Sequence, residues 1–138
     1  LTTHDGNDRD SPYYLENLRD WEYRGLIEVA KENLLLGVNV ILVGPFSKEI
    51  QSGQLFDPKI LGFPPQTRIQ IAWIDLQEDE AKRRMQKRGD PRDAWKLAHW
   101  DQYVRRRINP PFHATIKRFD HFQFDEELFN QLIDHLLE

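Results

Sequence analysis

The stretch from Glu78 to Arg107 gathers Arg83, Arg84, Lys87, Arg88, Arg92, Lys96 and Arg105 to Arg107 in a chain whose formal net charge is −4. Guanidinium groups grip phosphate and carboxylate oxygens in a two-pronged fork. Three partners therefore suit these cations: the phosphate of a nucleotide or substrate, a nucleic-acid backbone, or the interleaved carboxylates Glu78, Asp79, Glu80, Asp90, Asp93 and Asp101. Helical charge runs most often form a solvated face laced with i,i+4 pairs, so the third partner is the ordinary one. Arg88, Arg92 and Lys96 stand apart because they flank Gly89-Asp90-Pro91, where a helix has to stop and restart. Connections held on a rigid scaffold are where ligands tend to bind.

The elements that must position these groups follow from periodicity. Residues 1–10 are polar and read as a loop. Ser11-Pro12 opens a helix, with Ser as N-cap and Pro in the first turn. Tyr14, Leu15, Leu18, Trp21, Leu26, Val29, Ala30, Asn33 and Leu34 continue it at three- and four-residue spacing, and Gly37 ends it. The run VNVILVG (38–44) and the run RIQIAWIDL (68–76) are apolar almost throughout, as expected of strands covered on both faces in a parallel sheet. Between them, Gly53, Pro58, Gly62, Pro64 and Pro65 leave room only for loops and short turns. A third, less apolar strand is expected within 114–124, followed by a helix capped by Asp125, with Leu128, Phe129, Leu132, Ile133, Leu136 and Leu137 on one face. Such alternation predicts a single α/β domain over residues 1–138, a parallel sheet in three layers between helices, with 78–107 as a helical lid-like segment.

Ligands of open parallel sheets bind beyond the carboxyl ends of the strands. That rule selects Gly44 to Glu49, Asp75 and the region from His121 to Phe124. Glu49 and Asp101 are candidate general bases, and Asp75 is a candidate magnesium ligand. Trp73, Trp95, Trp100 and Tyr103 could stack a base, although core packing is the commoner use of such residues. The histidines His4, His99, His113, His121 and His135 have no metal-ligand spacing, so no metal site is expected through them. No G-x-S-x-G elbow is present.

Composition narrows the classes. A chain of 138 residues can bury a core of its own. The acidic balance argues against nucleic acid as the main partner. The absence of cysteine excludes disulfides, thiolate zinc sites and cysteine catalysis. No apolar run reaches the length of a membrane span, and no signal peptide is visible, so a soluble cytoplasmic protein is expected. The chain begins at Leu1 and its only methionine is Met85, from which a processed or shortened form of a longer protein is expected.

Two stretches, GVNVILVGPFSKEI and IAWIDLQEDEAKRRMQKRGDPRDAWKLAHWDQY, resemble P-loop small-molecule kinases and kinase-like ATPases of the shikimate/gluconate kinase and zeta-toxin type, and the subgroup described as AAA-family ATPases. The resemblance covers about residues 13–138. It rests on the VGPF turn followed by Ser47-Lys48-Glu49, on Arg84, Arg88, Gly89, Arg92, Asp93, Lys96 and Leu97, on Trp100-Asp101-x-Tyr103, and on Pro110-Pro111-Phe112-His113. It implies an ATP-dependent phosphotransferase with Mg2+ as companion ion. Arg88 and Arg92 would be catalytic lid cations, Arg84 and Lys96 would join them on the nucleotide, and Phe46, Lys48 and Glu49 would face a small-molecule phosphate acceptor.

The chain departs from that family at one essential point. The glycines are at 6, 25, 37, 44, 53, 62 and 89, so no two have the spacing of a Walker A loop, whose amides and lysine cradle the phosphates. The family's first strand, P-loop and first helix are accordingly expected to be missing, and the chain to be inactive unless that loop is supplied upstream. The alternative is a degenerate, non-catalytic domain that binds a nucleotide or a partner.

Overall fold

The computed structural model describes residues 9–120 and 125–137. The described residues form seven α-helices and a parallel pair of strands, β1 (Ile71–Asp75) and β2 (Ile116–Asp120), with Ile71 opposite Ile116 and Asp75 opposite Asp120. The chain is thus mixed α/β with parallel pairing, in a sheet smaller than the periodicity predicts.

The first helical stretch forms much as its sequence dictates. Ser11 accepts a hydrogen bond from the Tyr14 amide at 3.2 Å, and Pro12 begins α1 (Pro12–Asn17). The helix is interrupted at Leu18 and resumes as α2 (Arg19–Leu35), which runs through Gly25 without a break. At its end Gly37, with φ of +78°, turns the chain back. The Val38 amide then bonds to the Asn33 carbonyl and the Gly37 amide to that of Leu34, both at 3.0 Å, closing a Schellman motif.

The run 38–44 is the main departure from expectation, because it forms no ladder with either strand. Ile41 and Val43 are 70% and 89% exposed. A continuous apolar run describes a segment that could be covered on both faces. It becomes a strand only where a neighbour takes its amides and carbonyls, and no neighbour does so here among the described residues. The chain then turns at Gly44-Pro45 into α3 (Ser47–Gln51), whose cap, Phe46, has a φ of +44°.

Helix α4 (Glu78–Arg88) begins with Glu78, Asp79 and Glu80 and ends with Lys87 and Arg88, the order that complements a helix dipole. Gly89, at φ +63°, terminates it. Asp90 accepts from the Arg92 amide at 2.9 Å and so caps the 3-10 turn Pro91–Asp93. Helices α5 (Ala94–Ala98) and α6 (Trp100–Arg106) follow. The last helix, α7 (Glu126–Leu137), is capped as expected, the Leu128 amide donating to Asp125 Oδ1 at 2.9 Å. It packs on the sheet, where Phe119 is buried and His135 Nε2 lies 3.1 Å from the Ile71 carbonyl. No helix among the described residues is long and apolar enough to cross a membrane.

Candidate functional site

The turn after residue 44 is locked onto α2. Phe46 is buried and meets the Tyr23 ring edge-on at 4.9 Å. The left-handed backbone at Phe46 is costly for a side chain with a Cβ, so packing has to hold it there. Glu49 receives both prongs of Arg19, each at 2.8 Å, and the same guanidinium lies 4.1 Å from the Tyr23 ring centre. Partial burial would push the Glu49 carboxyl up, but the Arg19 fork outweighs it and holds the group below its usual range. Lys48 reaches Asp20 at 2.6 Å on the surface. All three residues expected to face an acceptor are engaged with α2, Phe46 and Glu49 through packed contacts and Lys48 through an exposed pair with Asp20.

The Gly89-Asp90-Pro91 hinge does bring Arg88, Arg92 and Lys96 together. Asp93 is buried beneath it and accepts both Arg88, through Nε at 3.0 Å and through Nη2, and Lys96 at 3.4 Å. Arg92 folds back onto Asp90, with Nη2 at 2.7 Å from Oδ2. The Arg92 side chain and amide together hold the Asp90 carboxyl well below the usual range. Arg84 lies one turn earlier on the same face of α4 and shares Glu80 with Arg83, at 2.7 and 2.6 Å. That pair of arginines draws the Glu80 carboxyl down to about 2. Lys96 also approaches Asp10 at 3.9 Å. Each of these cations therefore has an acid from its own helix or hinge, although Arg88 and Arg92 both remain 59% exposed.

A second polar cluster occupies the carboxyl end of β1. Trp73, Asp75 and Arg118 share one face of the two-stranded sheet, since Arg118 stands opposite Trp73 in the register. Trp73 Nε1 donates to Asp75 Oδ1 at 2.9 Å, and Arg118 Nε donates to Oδ2 at 2.6 Å. Arg118 Nη1 also reaches Asn109 at 2.9 Å. One residue beyond β1, the Leu76 carbonyl accepts Arg107 Nη2 at 2.6 Å. Burial would raise the Asp75 carboxyl. The bonds from Arg118 and Trp73, with the nearby charge of Arg107, lower it on balance. Sequence reasoning singled out Asp75 and counted Arg107 among the cations, but it missed Arg118 and Asn109. The signal that finds Arg118 is parity: once Ile116 is set opposite Ile71, Arg118 falls beside Asp75 on the same face.

Asp75 has both oxygens engaged, and no group of three metal-binding side chains is present among the described residues. Of the candidate bases, Glu49 is held by Arg19, and Asp101 lies exposed in the first turn of α6. The region from His121 to Phe124 lies outside the described residues. No family model, curated protein or solved structure matches the chain.

Proposed function

We propose that this domain binds the phosphates of ATP and serves ATP-dependent phosphoryl transfer to a small-molecule acceptor, on a P-loop kinase-like, three-layer scaffold. Turnover under this reading requires a Walker A loop, which these 138 residues do not contain. The observation that supports it is the hinge. Buried Asp93 holds Arg88 from below through Nε and Nη2, while the Arg88 side chain as a whole stays 59% exposed. The Arg92 side chain is 59% exposed, so a polyphosphate can compete with Asp90, itself 19% exposed, for the Arg92 donors. Catalysis of phosphoryl transfer is chiefly positioning and neutralisation of oxygen charge, which two aimed guanidinium groups can supply, with Arg84 and Lys96 adding to the local field. Lys48, which is exposed and paired with Asp20, is the acceptor-side residue that would exchange that acid for a substrate, while Phe46 and Glu49 keep its helix in place. Magnesium would enter with the nucleotide.

Calorimetric titration of ATP–Mg into the protein and into an Arg88→Ala, Arg92→Ala variant tests this reading, which predicts that the variant binds at least about tenfold more weakly. Equal affinities would remove it. A second reading, a non-catalytic nucleotide- or partner-binding domain, is favoured by the acid already present on Arg83, Arg84, Arg88, Arg92 and Lys96. It predicts that no candidate acceptor stimulates ADP release even with a Walker A loop restored.

A further inference from the structure

The geometry at the end of β1 points to a separate oxyanion site: we propose that Arg107 and Arg118 together hold a phosphoryl group beyond the carboxyl end of the two strands. The two arginines come from distant parts of the chain, the end of α6 and the middle of β2, yet they are anchored on consecutive residues, Arg107 on the Leu76 carbonyl and Arg118 on the Asp75 carboxylate. Each anchor fixes a guanidinium by one edge. Arg118 spends a second donor on Asn109, whereas Arg107 has no further bond among the described residues. Donors therefore remain on both groups, in the fork geometry that suits a tetrahedral oxyanion.

Arg107 lies close enough to Asp75 to help lower its pKa, and Asp120, opposite Asp75 in the register, stands at the same strand end, so the two arginines there face two carboxylates. The cluster is also at the edge where parallel sheets place their ligands. The hinge arginines are not part of it. Arg88 closes the far end of α4, about 15 Å of helix from the end of β1 by the rise per residue. This site stands independently of the nucleotide reading, because it involves none of Arg84, Arg88, Arg92 or Lys96.

Trp73 provides a local reporter, since its indole N–H is bonded to the carboxylate that anchors Arg118. The experiment is a titration of the 15N-labelled protein with inorganic pyrophosphate at constant ionic strength, following the indole resonance assigned through Trp73→Phe. A saturable shift is expected, with affinity reduced about tenfold in Arg107→Gln and in Arg118→Gln and unchanged in the Arg88→Ala, Arg92→Ala variant. The proposal is overturned if the resonance does not move at saturating pyrophosphate, or if sodium chloride of equal ionic strength moves it equally. It is also overturned if Arg107→Gln binds as tightly as the parent. Arg107→Gln leaves the Asp75–Arg118 pair intact, so it decides the matter even where Arg118→Gln fails to fold. A response lost only in the Arg88→Ala, Arg92→Ala variant would place the anion at the hinge, overturning the strand-end site while leaving the nucleotide reading standing.

Discussion

Arg19 with Glu49 and Arg92 with Asp90 are both arginine–carboxylate pairs, but the first has side chains only 14% and 12% exposed, whereas in the second Asp90 is 19% exposed and Arg92 59%. Arg19 bridges elements 30 residues apart and packs over Tyr23, while Arg92 returns to an acid two residues away. Taking charges out of water makes a pair costly to break, because the surviving partner is left without compensation. In water the same contact is readily exchanged for another anion. The turn after residue 44 is thus held by a pair that is costly to break, whereas the Arg92 guanidinium at the hinge is open to solvent. A site that must accept a phosphate is better made from the second kind of pair.

The largest test of this contrast is at Phe46. Truncation to Ala removes a buried ring and should lower stability by about 3 kcal/mol in a denaturant titration. Phe46→Gly should be no worse than Phe46→Ala, and up to about 1 kcal/mol better, because glycine adopts the left-handed backbone without strain. If the Gly variant is clearly the weaker of the two, the positive φ is not what the turn requires. Next in size is Arg19→Ala, which leaves Glu49 half-buried and unpaired and should cost about 2 kcal/mol, below the range for fully buried pairs because some exposure remains. Replacing both partners by apolar residues, Arg19→Met with Glu49→Leu, should recover most of that loss. A double variant as unstable as the single one would mean that the charge pair itself sustains the turn.

The same pair predicts a pH dependence. Because the folded Glu49 carboxyl titrates below its usual value of 4.5, its contribution is fully present above that value and is lost as the pH falls through the folded pKa. Asp20, Asp75, Glu80 and Asp90 are lowered as well, so the fall of the whole protein in acid is a sum over several groups. The difference between the parent and Glu49→Gln isolates one of them. That difference in unfolding midpoint should be largest above pH 5 and shrink below about pH 4. A gap that stays constant down to pH 3 would contradict the Arg19 assignment.

How far these two regions could be read from sequence differs in the same way. The hinge is local: acids then bases along α4, Gly89 to stop it, and Asp90-Pro91 to restart are all written within a few residues, and the structure forms them as expected. What stayed hidden was the choice of acid, since Arg88 passes over neighbouring Asp90 for buried Asp93. The clamp is long-range, and nothing in the residues near Glu49 announces Arg19. Strand prediction divides along the same line. Parallel pairing of 71–75 with 116–120 follows from apolar runs joined by helices. The equally apolar 38–44 stays outside the sheet because periodicity reports which faces could be covered and is silent about whether a ladder partner exists.

The smallest expected effects lie at the hinge, and they sharpen the contrast by being small. Asp90→Ala should lower the unfolding midpoint by a small but measurable amount, because the Asp90 carboxylate caps the turn by accepting the Arg92 amide. Arg92→Gln leaves that cap in place and removes only the contact of an exposed guanidinium, so its cost should be smaller than that of Asp90→Ala and should shrink further at 1 M salt. The two variants share one contact, so the difference between them separates the backbone role of Asp90 from its pairing with Arg92. If Arg92→Gln were instead as damaging as Arg19→Ala, the Arg92 guanidinium would be a structural tie like the clamp. Displacing it from Asp90 would then be costly, and a phosphate could no longer exchange for that acid.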